Sequence, residues 1–488
     1  MFKDNIVYCK QGLLRGASEN GITVFRGVPF AQPPVGALRW REPQPPHSWG
    51  GIRPAVSFSA IPVQRHFGFG GNEAQLWQSE DCLYLNIWTP GLDPEDKLPV
   101  FVWFYGGAYM GGRADDPSYD GSGFAKKGVI AVTVNYRVGT LGFLCHPDMK
   151  SESPYGTGGN FGLLDQIEAL KWLRVNITAF GGDPSKITIG GQSAGSNSCN
   201  NLMCSPLSRD LFRYAINQSG DVFQSDRDIS FDAASSGGLR LAAHFGCKTL
   251  NELRKLPVSE ITRGDYDAGM ATGAVCTPVI DGAVIPESQG NMLLRNKSMR
   301  IPIILGSNLD EGSSGPGDYL KTVTDRFGLP KGMYPGGEKT SESVMRLARD
   351  YWYARHLAWA KIRTEDLKIP TWQYVFARRQ EPMGAMHGAE IPYAFQTLYN
   401  NPNPMFKYTE QDTRLMDIIS SYWANFIKTG DPNGEGLPRW DKKIPDSGHM
   451  RLDLDCYMEG DYIHVEDSVV FPVVYKWMKA RAEGIIDE

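Results

Sequence analysis

Ile187-Thr188-Ile189-Gly190-Gly191-Gln192-Ser193-Ala194-Gly195 brings a β-branched run up to a serine with small residues on both sides. Ser196 to Met203 can continue as a helix. A strand that turns sharply into a helix holds the serine hydroxyl out above a sheet, and only Gly or Ala fits around so tight a turn. In a chain with 54 glycines the pentapeptide alone is a weak signal. Its value lies in what it requires elsewhere: backbone donors upstream, then an acid, then a histidine.

Each requirement has a candidate in the required order. Leu98 to Phe104 reads as a buried strand, and it runs into Tyr105-Gly106-Gly107-Ala108-Tyr109. A Gly-rich turn after a central strand frees N–H groups to meet charge developing on a carbonyl oxygen. The N–H of Ala194, next to the serine, is a second donor. Ile301 to Leu305 reads as another strand, leading into Asn308-Leu309-Asp310-Glu311-Gly312-Ser313. Asp310 and Glu311 both sit where α/β sheets place functional groups, and spacing alone leaves the choice between them open. Trp372 to Phe376 is a further strand candidate. Beyond it lies His387, the one of 8 histidines in a Gly- and Met-rich loop after a strand. An imidazole takes and returns a proton near neutral pH, as acyl transfer to a serine requires.

With these motifs in place the chain resembles the type B carboxylesterases, on the α/β-hydrolase fold. The resemblance runs from Phe25-Arg26-Gly27-Val28-Pro29-Phe30 through Ser79-Glu80-Asp81-Cys82-Leu83-Tyr84-Leu85-Asn86, Asn135 to Gly139 and Phe180 to Pro184. It continues through the serine turn, Asp310 to Ser313, Met386-His387-Gly388 and Thr429 to Asn433. It implies an α/β fold with a large, mostly parallel mixed central sheet flanked by helices. It also implies a small N-terminal antiparallel sheet and helical inserts capping the active site. It implies Ser193, Glu311 and His387 as the catalytic triad, and Gly107, Ala108 and Ala194 as the oxyanion donors. Gly106 then serves the turn, and Ser219 hydrogen-bonds the triad acid. Arg39 with Glu80, and Arg137 with Asp165, are implied as buried structural ion pairs.

The chain departs from the family pattern in places. Gln192 stands where most members carry Glu, which removes a carboxylate beside the nucleophile. Ser196 replaces the commoner Gly. The loop before Cys82 is short and contains no second cysteine. These departures argue against a choline ester as substrate. Aromatic residues expected around the site are Tyr109, Phe67, Phe69, Tyr393 and Phe395, and such walls suit an apolar or aryl ester.

Composition is that of an ordinary globular chain: 488 residues, 41% hydrophobic and 22% charged, with a net charge of −5. Without a Lys/Arg stripe a nucleic-acid partner is not expected. The 8 cysteines show no Cys-x-x-Cys pairing, so neither a metal nor a disulfide framework is expected. The N-terminus has no apolar leader region and no segment reaches the length of a membrane span, which points to a cytoplasmic protein without a membrane partner, a secreted mature domain being the alternative. With no linker or repeat visible, residues 1–488 read as one domain, and the inserts at about 226–300 and 312–370 read as caps. A monomer or homodimer, with no cofactor and a small-molecule ester as substrate, is the expectation. Two other classes fit less well. An amidase, lactonase, thioesterase or lipase could use the same triad. A non-catalytic binding protein on this fold would have lost the serine.

Overall fold

The computed structural model describes residues 5–64, 76–223, 228–262, 276–311, 341–381, 383–400, 406–443 and 447–461. Contacts group the chain into two compact units, residues 1–213 with 224–288, and residues 214–223 with 289–488.

The first unit contains β1 (Ile6–Cys9), β2 (Gly12–Arg15), β3 (Ala17–Glu19), β4 (Ile22–Pro29), β5 (Ile52–Pro54), β6 (Ile61–Pro62) and β7 (Gln78–Ser79). It continues with β8 (Tyr84–Thr89), β9 (Leu98–Phe104), β10 (Ile130–Val134) and β11 (Gly182–Gln192). Its main strands lie in the order β11-β9-β10-β8-β4-β3. β11, β9 and β10 are parallel, whereas β8, β4 and β3 add on antiparallel. β10 is buried along its whole length, and Val100 to Phe104 of β9 are buried too. These parallel strands are covered on both faces, which explains their unbroken apolar sequence. The small N-terminal sheet is mixed: β1 pairs antiparallel with β2, and β5 then adds parallel to β2. The antiparallel expectation thus holds for the hairpin alone.

Two ion pairs fasten this unit: Arg137–Asp165 is buried as expected, whereas Arg39–Glu80 is buried only on the arginine side. Arg137 Nε and Nη2 donate to the two oxygens of Asp165 at 2.8 and 2.7 Å, and the Arg137 backbone N–H adds a third bond. Arg39 grips Glu80 through two bonds of 2.6 and 2.7 Å and also donates to the Arg254 and Leu256 carbonyls. All eight cysteines are free, and Cys82 is buried.

The second unit contains β12 (Tyr214–Gln218), β13 (Ile303–Asn308), β14 (Thr371–Phe376), β15 (His449–Leu452) and β16 (Tyr457–Glu459). β12 to β15 are parallel neighbours, and β16 closes the edge antiparallel. The helix Glu410–Thr429 starts in a reciprocal cap between Thr409 and Asp412 and ends at Gly430, whose φ is 79°. Its Trp423 donates to Gln218 Oε1 at 3.0 Å, tying helix to sheet. Within the spans 226–300 and 312–370 the described helices are Phe231–His244, Leu250–Arg254, Gln289–Leu294 and Ser341–Lys361.

Candidate active site

In the first unit, β11 runs beside β9 in a register that sets Gly191 opposite Phe104. The residues that follow the two strand ends must therefore meet. A Cβ placed on Gly106 would stand 3.0 Å from Ser193 Cβ and 2.7 Å from the Gln192 carbonyl oxygen. Ser193 is half-buried and caps the helix Ala194–Cys204 with φ 57° and ψ −124°. For a residue with a side chain this conformation costs about 1–3 kcal/mol, and its surroundings must hold it there. Packing dictates the glycines. A Cβ on Gly195 would lie 1.9 Å from the Phe104 oxygen, and one on Gly191 would lie 2.3 Å from the Gly195 carbonyl carbon.

The turn after β9 is also held in a rare conformation, with φ of 115°, 53° and 63° at Gly107, Ala108 and Tyr109. The Gly107 carbonyl accepts from Met110 and Gly111 and closes the turn. Among the described residues no acceptor takes the N–H of Gly107, Ala108 or Ala194. Beside the serine there are thus uncommitted donors on a backbone that cannot easily relax.

In the second unit, the parallel register of β13 and β14 brings their following loops together. The Leu309 N–H donates to Phe376 O, and the Asp310 N–H to Ala385 O. Asp310 is 1% exposed. Its carboxylate accepts from both Arg379 nitrogens at 2.9 and 3.0 Å, from Arg349, and from the Ala385 N–H at 2.9 Å. Glu311 instead meets His387, with Oε2 2.5 Å from Nδ1, while its Oε1 accepts from the Asn308 N–H at 2.7 Å. Spacing left these two acids equivalent, but the fold separates them. Burial pushes the Glu311 carboxyl up, but the charge and hydrogen bond of His387, the Asn308 N–H and the Ser219 hydroxyl outweigh it. The net effect holds the carboxyl below its ordinary range. Ser219 Oγ does this from close by without a well-formed hydrogen bond, which is weaker than the bond expected of it.

Two residues that the sequence did not single out complete the support. Asn308 Nδ2 donates at 2.6 Å both to the carbonyl of Met386, next to His387, and to Glu390 Oε2. Glu390 is fully buried and also accepts from Gln218 Nε2 at 3.0 Å. Burial raises its carboxyl above the ordinary range, and the nearby Glu311 charge adds to this.

The sequence profile of the Carboxylesterase family matches residues 3–325 and 318–460. The chain belongs to the carboxylesterase family. It is 35% identical to the fumonisin B1 esterase of Sphingopyxis macrogoltabida over 89% of this chain and 83% of that protein. It is 31% identical to the para-nitrobenzyl esterase of Bacillus subtilis, covering 96% and 98% of the two chains. The crystal structure of a Geobacillus stearothermophilus carboxylesterase superposes with a TM-score of 0.82 at 30% identity, over 95% of this chain and 99% of that one. This carboxylesterase has the α/β-hydrolase fold and is a carboxylic ester hydrolase of the serine type.

Not all the residues expected around the site of this carboxylesterase lie where a wall would need them. Phe67 and Phe69 lie outside the described residues. Tyr109, Tyr393 and Phe395 are each 1% exposed and have no ring face free for a ligand. Tyr109 packs edge-on against Phe143. The Tyr393 hydroxyl donates to Asp412 Oδ1 at 2.8 Å, inside the Arg378–Asp412 ion pair that caps the helix Glu410–Thr429. These three are core residues, because their rings fill space between elements that must pack. Among the described residues no helix is long and apolar enough to cross a membrane.

Proposed function

We propose that Ser193 is the nucleophile of this carboxylesterase, with His387 as general base and Glu311 as the residue that orients it. The observation that carries this reading is the 2.5 Å contact between Glu311 Oε2 and His387 Nδ1. A buried carboxylate on Nδ1 fixes the proton there, leaves Nε2 as the basic atom, and stabilises the imidazolium once it forms. His387 takes the Ser193 proton as Oγ attacks the ester carbonyl. The oxyanion forms against the N–H groups of Gly107, Ala108 and Ala194. The imidazolium returns the proton to the leaving alcohol, and an acyl-serine remains. Water, deprotonated by His387, then releases the acid.

Gln192 places a neutral amide beside the nucleophile, so the site offers a cationic alcohol no carboxylate there. Apolar and aryl carboxylic esters are the substrate class we assign. Their hydrolysis is tested with a para-nitrophenyl acyl series, using wild type and Ser193→Ala. The wild type should show saturable turnover and the variant should lose it by at least about 10³-fold. A variant as active as wild type sinks the assignment.

A further inference from the structure

We infer that Trp352 is a specificity residue of this esterase, a fixed indole wall beside His387 that favours esters with a flat aromatic group. The inference rests on the reading of His387 as general base.

Trp352, Arg355 and His356 lie three and four residues apart on the helix Ser341–Lys361, so they share one face. That face is pinned to the segment after β12. Arg355 Nη1 stands 2.9 Å from Asp221 Oδ2, and both groups are buried. His356 Nε2 lies 2.9 Å from the Gly220 carbonyl oxygen, as its donor. The Arg355 guanidinium carbon in turn lies 4.8 Å from the Trp352 ring centroid, within cation–π range. The indole is therefore held by a charged clamp rather than by apolar packing alone. It stands 6.2 Å from the His387 ring at an interplanar angle of 45°.

Trp352 is only half-buried, unlike Tyr109, Tyr393 and Phe395. Part of the residue is thus accessible, and its ring neighbours the imidazole that works on the ester. Glu311 occupies Nδ1, so the reacting bond must approach Nε2, and substituents on the ester come within reach of the indole. A flat aryl group gains stacking and buried area there, whereas a methyl group gains neither. A rigid wall also asks less ordering of its ligand than a mobile one. Arg355 and Asp221 position Trp352 and act on selectivity only through it.

The test uses two ester series on the full chain, one varying the acyl group and one the alcohol, each from methyl to phenyl. Wild type and Ser193→Ala come first, so that failure of the esterase reading shows as an inactive wild type. In Trp352→Ala, kcat/KM for the aryl members should fall about tenfold more than kcat/KM for the methyl esters. Trp352→Phe should restore most of the preference. Asp221→Asn with Arg355→Gln should lower the preference part of the way, because the indole loses its clamp. Melting temperatures identify any variant that fails to fold, and Trp352→Phe, a ring for a ring, then carries the test. A uniform fall across both series, or an unchanged ratio in folded Trp352→Ala, overturns the inference.

Discussion

Glu311 and Glu390 show how little the type of a residue says about its state. Both are buried glutamates hydrogen-bonded to Asn308, one through its backbone N–H and one through its amide. Burial pushes both carboxyls up, but only Glu311 has a histidine to reverse the direction. Their effects on stability consequently have opposite signs. The Glu311 carboxyl is depressed, so its contribution is present above the unfolded value near 4.5 and is lost as pH falls through the folded one. The Glu390 carboxyl is raised, so the native state binds the proton more tightly and stability drains away as pH rises from about 4.5 through the folded pKa. Glu390→Gln removes that drain. Its melting temperature, relative to wild type, should rise steadily between pH 4.5 and pH 7, whatever constant offset the altered hydrogen bonds introduce. A difference that does not vary with pH would show Glu390 to be ionised throughout that range.

At the scale of elements, the serine turn is a packing solution before it is a chemical one. The helix Ala194–Cys204 starts so close to the end of β9 that a side chain at position 195 would enter the Phe104 carbonyl. Gly195→Ala must therefore push helix and strand apart. We expect a loss of about 3 kcal/mol in a denaturant titration, the upper end for overpacking, with turnover abolished. A variant of wild-type stability would mean that the turn relaxes more easily than its close contacts suggest. The strands themselves were readable from apolar runs: β9 spans Leu98–Phe104 as expected, and β14 covers the Trp372–Phe376 candidate with one residue more. β13 begins at Ile303 rather than Ile301 and extends to Asn308. The extension takes in Gly306, Ser307 and Asn308, whose polar character argues locally against a strand. Pairing with Tyr374, Val375 and Phe376 of β14 overrides it.

For the molecule as a whole, the division of labour is unequal. The first unit holds the strained serine and its uncommitted N–H groups, and the second holds the Glu311–His387 contact and Trp352. The first unit also carries a fully desolvated charge pair, Arg137 with Asp165. Asp165 is wholly inaccessible and Arg137 nearly so. Asp165→Ala leaves a guanidinium stranded, and the expected cost is about 3–5 kcal/mol, read from unfolding midpoints. Replacing both partners with apolar residues should cost less than removing one, because no charge is then left unpaired. If the double replacement costs more than Asp165→Ala, the pair contributes more than the penalty of an orphaned charge.

The sequence by itself determined the chemistry. Gly-Gln-Ser-Ala-Gly after a β-branched run, a Gly-Gly turn after an apolar run and a histidine further along suffice, because turns this tight tolerate few residues. Local spacing left open which acid meets that histidine; the family resemblance pointed to Glu311, and the tertiary structure makes the contact. Asp310 and Glu311 are adjacent and chemically alike. The arrival of Arg379 and Arg349 at one and His387 at the other distinguishes them. Tertiary structure alone decided which aromatic residues are core. Tyr109, Tyr393 and Phe395 follow the motifs in sequence but fill the interior, while Trp352, some 35 residues before the histidine, stands beside it. Backbone demands are local and leave a local signature. Side-chain neighbours are set by register and helix packing across long stretches of chain, and no short pattern records them.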